Sequence, residues 1–122
     1  MKNPHIKRNN LRLHKRHRCR YLAKIHFRYE LLGDATILNI SPEGLLLTAS
    51  NNNIKPGSII DITFECISTH TTIAVPAFVV HIEPEKVGIW LMGVWLDDED
   101  KILKSLIQTM IDDLYRNKIF SY

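Results

Sequence analysis

ILNISPEGLLL, residues 37–47, sets two strongly apolar runs on either side of NISPEG, residues 39–44. Asn, Ser, Pro and Gly each favour turns for a backbone reason, so the stretch predicts a hairpin between two strands. The same stretch also offers an amide, a hydroxyl and a position without a Cβ, which together suit a binding edge. Both interpretations stay open until the rest of the chain is considered.

Length and composition limit the class of protein. The chain has 122 residues, of which 45% are hydrophobic, and this suits one globular domain. No run approaches the roughly 20 apolar residues of a membrane span, and no apolar stretch follows the basic N-terminus, so we expect a soluble, cytoplasmic protein. The two cysteines, Cys19 and Cys66, lack metal-type spacing, which fits a reducing compartment.

The net charge of +3 conceals an uneven distribution. Residues 1–30 contain ten Lys or Arg against one Glu, whereas residues 31–122 contain six Lys or Arg against twelve Asp or Glu. Such a basic segment attracts phosphate through its field alone, whether in nucleic acid, a membrane surface or a nucleotide. We expect residues 1–15 to form a flexible basic arm, which could equally dock as a solvated tail on its own acidic body.

Alternation of apolar and polar residues predicts strands along most of the chain. From Ala23 to Glu30 the alternation is unbroken, so Phe27 and Tyr29 are expected on the inner face, and Leu32-Gly33-Asp34 reads as the turn that follows. Five further strands are predicted, at residues 35–40, 45–48, 58–64, 72–82 and 87–96.

Between Ile102 and Leu114, apolar residues recur every three or four positions, which predicts an amphipathic helix. The acidic residues at positions 97–100 just before it favour a helix start there. We therefore expect a mainly β fold, a six-stranded antiparallel β-barrel with a C-terminal α-helix, because closure removes exposed sheet edges. Residues 16–122 form a single predicted domain, with the barrel at about 21–96 and the helix at about 98–116. The apolar helix stripe is expected in the core, with a dimer face as the alternative.

Two segments carry binding chemistry. KRHRCR, residues 15–20, places Arg16 and Arg20 four residues apart, with Arg18 between them on the same side of an extended chain. A guanidinium can clamp a phosphate, pair with guanine O6 and N7, or stack over a base. In the second segment Asn39 and Ser41 share one side, and the two sets together suit a guanine nucleotide.

Arg16–Arg20 fits RxxxR and Asn39–Gly44 fits [D/N]xSxxG, so the chain resembles the PilZ domain, a bacterial receptor module for cyclic di-GMP. The likeness extends over about residues 12–116 and includes Met92-Gly93-Val94-Trp95, which is similar to the family's last strand. The resemblance implies that Arg16 and Arg20 grip phosphates and guanine faces, and that Asn39 and Ser41 bond guanine edges. It further implies three supporting positions: Gly44 for close approach, Lys15 for charge and His81 for stacking.

The resemblance implies a bacterial, cytoplasmic receptor that binds one cyclic di-GMP or an intercalated pair. Because the arm is rich in cations and poor in apolar residues, we further expect an anionic ligand to order it and a partner protein to read the new surface. The resemblance implies no catalytic residue, no metal and no cofactor besides this ligand. An enzyme is disfavoured because His14, His17 and Cys19 match no zinc pattern. Two alternatives stay open, a general single-stranded nucleic-acid-binding barrel and a PilZ-like interaction module that no longer binds nucleotide.

Overall fold

The computed structural model describes residues 15–50, 53–66, 70–97 and 99–120, with only the backbone given for Cys66 and residues 117–120. Six strands precede one helix in the described part of the chain: β1 (His17–Phe27), β2 (Glu30–Ser41), β3 (Gly44–Ala49), β4 (Ile59–Cys66), β5 (Thr71–Lys86), β6 (Ile89–Trp95) and α1 (Lys101–Phe120).

The strands form a closed barrel in the order β1-β2-β3-β6-β5-β4, and β4 pairs back with β1. Every neighbouring pair is antiparallel. Closure gives each strand two partners, so that the ladder groups of an open edge are satisfied within the fold. The predicted mainly β architecture, six antiparallel strands followed by a C-terminal helix, is confirmed.

Alternate side chains of the strands fill the barrel interior. On β1 the inward set includes Tyr21, Ala23 and Ile25, all buried, while the residues between them face outward. The apolar stripe of α1 joins the same core through four buried side chains, those of Leu103, Ile107, Met110 and Ile111. The stripe therefore packs inside the domain, although Ile102 lies outside it and is exposed.

Acidic residues define the start of α1, as the sequence predicts. The backbone N–H of Leu103 donates to Asp100 Oδ1 at 3.0 Å, which is the bond of an N-cap residue. Just before it, the N–H of Glu99 donates to Asp97 Oδ1 at 3.0 Å. None of the helical segments among the described residues combines the length and the apolar composition of a membrane span.

The first hairpin turn lies elsewhere than predicted. Arg28 and Tyr29 form it, with φ of 51° and 69°, and Phe27 pairs with Glu30 across it. Gly33 and Asp34, which suggested a turn by composition, instead lie within β2. Positive φ is unusual for residues other than glycine, so this turn has no clear signature in the sequence. As a result Tyr29 is 98% exposed and does not face the interior.

The last hairpin also shifts relative to its predicted position. β5 extends to Lys86, and the chain turns at Val87-Gly88, where Gly88 has a φ of 77°. The predicted end of the fifth strand at residue 82 is therefore too early, because Glu83 and Pro84 still pair with β6, and the predicted start of the sixth strand at Val87 lies in the turn. At the other end of the barrel, β1 begins at His17 and so takes in most of KRHRCR. The predicted mobility of residues 1–15 falls almost entirely on residues 1–14, which lie outside the described residues, so the division into arm and domain stays a prediction.

Candidate functional site

The arginine segment, Lys15–Arg20, lies at the start of β1. Lys15 and Arg16 precede the strand and are exposed, while Arg18 and Arg20 are exposed positions within it. The residues between them, His17 and Cys19, are half-buried, as expected when successive side chains of a strand point to opposite faces. The outer face of the barrel therefore presents a cluster of cations, which favours anions.

Strand register brings the arginine segment against the second motif. Arg18 pairs with Asn39 and His17 pairs with Ile40, so the two segments are direct neighbours on β1 and β2. Residues opposed in an antiparallel ladder have Cα atoms about 4.5–5.5 Å apart, and their side chains share a face. The structure thus joins the two motifs that the sequence separates by almost twenty residues.

Arg18 is a candidate residue to which the sequence analysis gave no role. Its place on the same side as Arg16 and Arg20 was predicted, but its position opposite Asn39 depends on a register shift between Arg18 and Tyr21. Such a bulge inserts unpaired residues into one strand and changes where side chains point. Since the bulge has no clear sequence signature, periodicity alone could not have matched Arg18 with Asn39.

The second motif forms the β2–β3 hairpin. Ser41 pairs with Gly44 across the two residues Pro42 and Glu43, which confirms the turn predicted from this stretch. The backbone N–H of Leu96 donates to the carbonyl oxygen of Glu43 at 2.9 Å, so the hairpin tip is also bonded to the chain after β6. The hairpin is thus fixed on two sides, and the motif residues sit on a rigid element.

Asn39 and Ser41 differ in accessibility. Asn39 is half-buried and lies opposite the exposed Arg18. Ser41 is only 4% exposed, and its hydroxyl donates to the carbonyl oxygen of Gly44 at 3.4 Å. Both residues are predicted to lie on one side of an extended chain, whereas the structure buries Ser41 and leaves Asn39 partly exposed. The ligand role of Ser41 stays a prediction.

Gly44 has a reason within the protein itself. It pairs with Trp95 of β6, and a Cβ added to Gly44 would collide with the carbonyl oxygen of Val94. The absence of a side chain therefore allows β3 and β6 to approach closely. This packing role was missed by the sequence analysis, which assigned Gly44 to close approach of a ligand. The ligand assignment stays a prediction alongside it.

His81 lies on the same cross-strand row as Asn39. The row runs over five strands through four successive pairs: Arg18 with Asn39, Asn39 with Leu46, Leu46 with Gly93, and Gly93 with His81. Neighbouring strands are about 4.8 Å apart, so His81 is about 14 Å from Asn39 along the barrel surface. Its Nε2 atom lies 3.4 Å from Glu83 Oε1. The ligand role of His81 stays a prediction.

The thiol of Cys19, within the arginine segment, is bonded inside the protein and is unreactive near neutral pH. Its Sγ donates to the carbonyl oxygen of Ile37 at 3.6 Å, and burial raises the pKa of the thiol to about 11. The thiol is therefore protonated near neutral pH and is a poor nucleophile or metal ligand. Among the described residues, no three His, Cys, Asp or Glu side chains are grouped closely enough to hold a metal ion.

A comparison with protein families matches the chain to the PilZ domain over residues 10–113. No curated protein matches the chain. Among solved structures, the PilZ domain of YcgR from Escherichia coli with c-di-GMP superimposes with a TM-score of 0.70, 11% identity, and coverage of 87% of this chain and 92% of that chain.

Two longer proteins match as well. PlzA from Borreliella burgdorferi in complex with c-di-GMP gives a TM-score of 0.59 and 17% identity, covering 88% of this chain and 43% of that chain. MrkH from K. pneumonia in its apo state gives a TM-score of 0.67 and 12% identity, covering 100% of this chain and 55% of that chain. The chain thus spans about half the length of these two proteins. At such identities the likeness shows the fold alone, but the family match covers most of the sequence, and the chain belongs to the PilZ domain family.

Proposed function

We propose that this chain is a receptor for cyclic di-GMP. The observation that carries the proposal is the register of β1 on β2, which sets Arg18 opposite Asn39 and so joins the arginine segment to the hairpin motif. Guanidinium groups suit the ligand's phosphates and the O6 and N7 acceptors of guanine, while an amide offers both a donor and an acceptor. The YcgR and PlzA structures, both complexes with c-di-GMP, support the same ligand class.

Each half of the site has its own task in this proposal. Arg16 and Arg20 grip phosphates and stack on guanine faces, and Lys15 adds positive charge with less directional bonding. Asn39 bonds a guanine edge, and Ser41 exchanges its long bond to Gly44 for one to the ligand. Arg18, opposite Asn39, holds the same guanine or the phosphate next to it. His81, at the other end of the cross-strand row, stacks on the ligand.

The signal in this proposal is the ordering of the basic arm. Residues 1–14 lie outside the described residues, so this step is inferred from their charge: the four Lys or Arg among them favour an anionic ligand at the barrel face. A ligand shifts an equilibrium only by its difference in affinity for the two states, so an arm that contacts the ligand is ordered by it. A downstream protein in the bacterial cytoplasm then binds the new surface.

Single-stranded nucleic-acid binding is the less favoured function. Such sites stack successive bases on exposed aromatic side chains. Tyr21, the aromatic residue next to the arginine segment, is only 7% exposed, and the fully exposed Tyr29 lies at the turn beyond the other end of β1. Among the described residues of β1, the cations therefore have no exposed aromatic side chain beside them, and Tyr115 of α1, which is 41% exposed, is bonded to His17. This arrangement suits a compact anionic ligand better than an extended strand.

A calorimetric titration tests the proposal. The full chain is titrated with cyclic di-GMP at physiological salt, then with GTP and with a short single-stranded oligonucleotide. Saturable binding of the cyclic dinucleotide with GTP and the oligonucleotide silent is the expected result, and it also yields the stoichiometry. Binding of the oligonucleotide alone, with a steep dependence on salt, would make the face a nucleic-acid surface. If none of the three ligands binds, the chain is best explained as a PilZ-like interaction module that no longer binds nucleotide.

A further inference from the structure

The arginine segment contacts the C-terminal helix. His17 Nδ1 lies 2.7 Å from the hydroxyl oxygen of Tyr115, and the two rings meet edge to face, with centroids 5.4 Å apart and planes at 87°. The tyrosine hydroxyl donates to Nδ1 when the neutral imidazole carries its proton on Nε2. The edge-to-face geometry is a favoured one for aromatic pairs. A residue inside the RxxxR motif is therefore fastened to α1, 98 positions further along the chain.

The start of β1 is joined to β2 by a short stretch of ladder. Two ladder pairs, His17 with Ile40 and Arg18 with Asn39, lie beyond the register shift that precedes Tyr21. Strand ends with few pairs open at small free-energy cost. Crowded cations repel one another, so the charges of Lys15, Arg16, Arg18 and Arg20 add to the tendency of this end to open. A contact from the helix opposes that opening.

We propose that Tyr115 is a positioning residue for the ligand site: through His17 it holds the arginine segment in register opposite Asn39. The converse follows by linkage, because a ligand that binds only the paired form of the segment strengthens the docking of α1. The last described turns of α1 are then an output of ligand binding, besides the arm. This inference rests on the proposed function for the identity of the ligand.

The expected change in ligand affinity follows from the strength of the hydrogen bond between Tyr115 and His17. An apparent dissociation constant rises as the fraction of binding-competent protein falls. Loss of one hydrogen bond is worth about 0.5–1.5 kcal/mol, so removal of the Tyr115 hydroxyl weakens ligand binding by about three- to tenfold. The ring contact is retained in Tyr115→Phe, which leaves the helix core of Ile107, Met110 and Ile111 untouched. The variant is therefore expected to fold normally.

Tyr29→Phe is the matched control. It makes the same chemical change at a residue that is 98% exposed, in the turn that follows β1. Wild type, Tyr115→Phe and Tyr29→Phe are titrated with cyclic di-GMP. Amide hydrogen exchange is then measured with and without the ligand, over peptides covering residues 15–22 and 103–116. Unlike an affinity alone, exchange in the helix reports whether the two elements are coupled.

The expected result has two parts. Cyclic di-GMP slows exchange over residues 103–116 in wild type and Tyr29→Phe, and Tyr115→Phe both loses this effect and binds three- to tenfold more weakly. Tyr115→Phe that binds with wild-type affinity, or whose helix still responds to the ligand, would overturn the inference. If wild type fails to bind cyclic di-GMP, the proposed function fails separately. The positioning role is then judged without ligand: faster exchange over residues 15–22 in Tyr115→Phe supports it, and unchanged exchange overturns it.

Discussion

Arg18 of β1 lies directly opposite Asn39 of β2 in the antiparallel ladder. Both residues face outward, so a guanidinium and an amide stand side by side on the barrel surface. This relationship brings the two separate motifs together as neighbours on adjacent strands. It also gives Arg18 a place that the spacing of RxxxR does not indicate.

Arg18→Ala is expected to weaken cyclic di-GMP binding about ten- to a hundredfold, because hydrogen bonds to charged groups are worth about 1.5–3 kcal/mol. Calorimetric titration gives the affinity, and the far-UV circular dichroism spectrum shows that the barrel is intact. Arg28→Ala is the control, since Arg28 is an exposed arginine ten positions further on. There its Cζ atom lies 5.0 Å from the centroid of the Phe27 ring. Equal losses in both variants would mean that general charge, and not the position opposite Asn39, decides binding.

Most of the architecture could be predicted from the sequence, because burial imposes a period on the side chains. Alternation located six strands, and the change to a three- and four-residue period located α1. What periodicity could not give was turn conformation. Arg28 and Tyr29 adopt positive φ without being glycine, while Gly33 and Asp34 pair inside β2. Tertiary pairing overrode local turn preference in both places.

The site residues were predictable as types but not as an arrangement. The motif spacing pointed to Arg16, Arg20 and Asn39, yet register decides which of them are neighbours, and the bulge before Tyr21 alters that register. Accessibility was also beyond the sequence, since the burial of Ser41 depends on how the hairpin packs. The contact between His17 and Tyr115 joins residues far apart in the chain, and no local pattern indicates it.

Gly44→Ala is expected to destabilise the fold by about 1–3 kcal/mol, since its Cβ would collide with the Val94 carbonyl and force β3 away from β6. Urea unfolding measures this. Gly93→Ala is the matched control, because its Cβ would meet only the Cβ of His81, at an ordinary 3.8 Å. This variant is expected to change the unfolding free energy by less than about 1 kcal/mol. If Gly44→Ala keeps wild-type stability and loses only ligand binding, the glycine serves the ligand and not the packing of β6.

Asp100→Ala is expected to lower the unfolding free energy by about 1 kcal/mol, because it removes the acceptor of the Leu103 N–H at the start of α1. The urea midpoint should fall without a change in slope. Asp112→Ala serves as the comparison: it removes another helix carboxylate, one bonded to the exposed side chain of Gln108. A larger loss for Asp112 than for Asp100 would contradict the capping role.

The Cys19 thiol is expected to react slowly until high pH, since burial raises its pKa from 9.0 to about 11. Between these values the unfolded chain loses the thiol proton and the folded chain keeps it, so this group's contribution to stability is lost as the pH rises from 9 to 11. Iodoacetamide alkylation against pH, in a Cys66→Ser background, gives the folded midpoint. The same protein in urea gives the unfolded reference. A folded midpoint at or below 9 would show that the neighbouring arginines outweigh burial.

We propose that the arginine segment and the hairpin motif form one site for cyclic di-GMP. The most direct test of this proposal is a set of calorimetric titrations with cyclic di-GMP at physiological salt on wild type, Arg16→Ala, Arg20→Ala, Asn39→Ala and Arg28→Ala. We expect Arg16→Ala, Arg20→Ala and Asn39→Ala to lose binding while remaining folded, and Arg28→Ala to bind as wild type does. If Asn39→Ala binds with wild-type affinity while the arginine variants fail, the basic segment acts alone and the two motifs do not form one site.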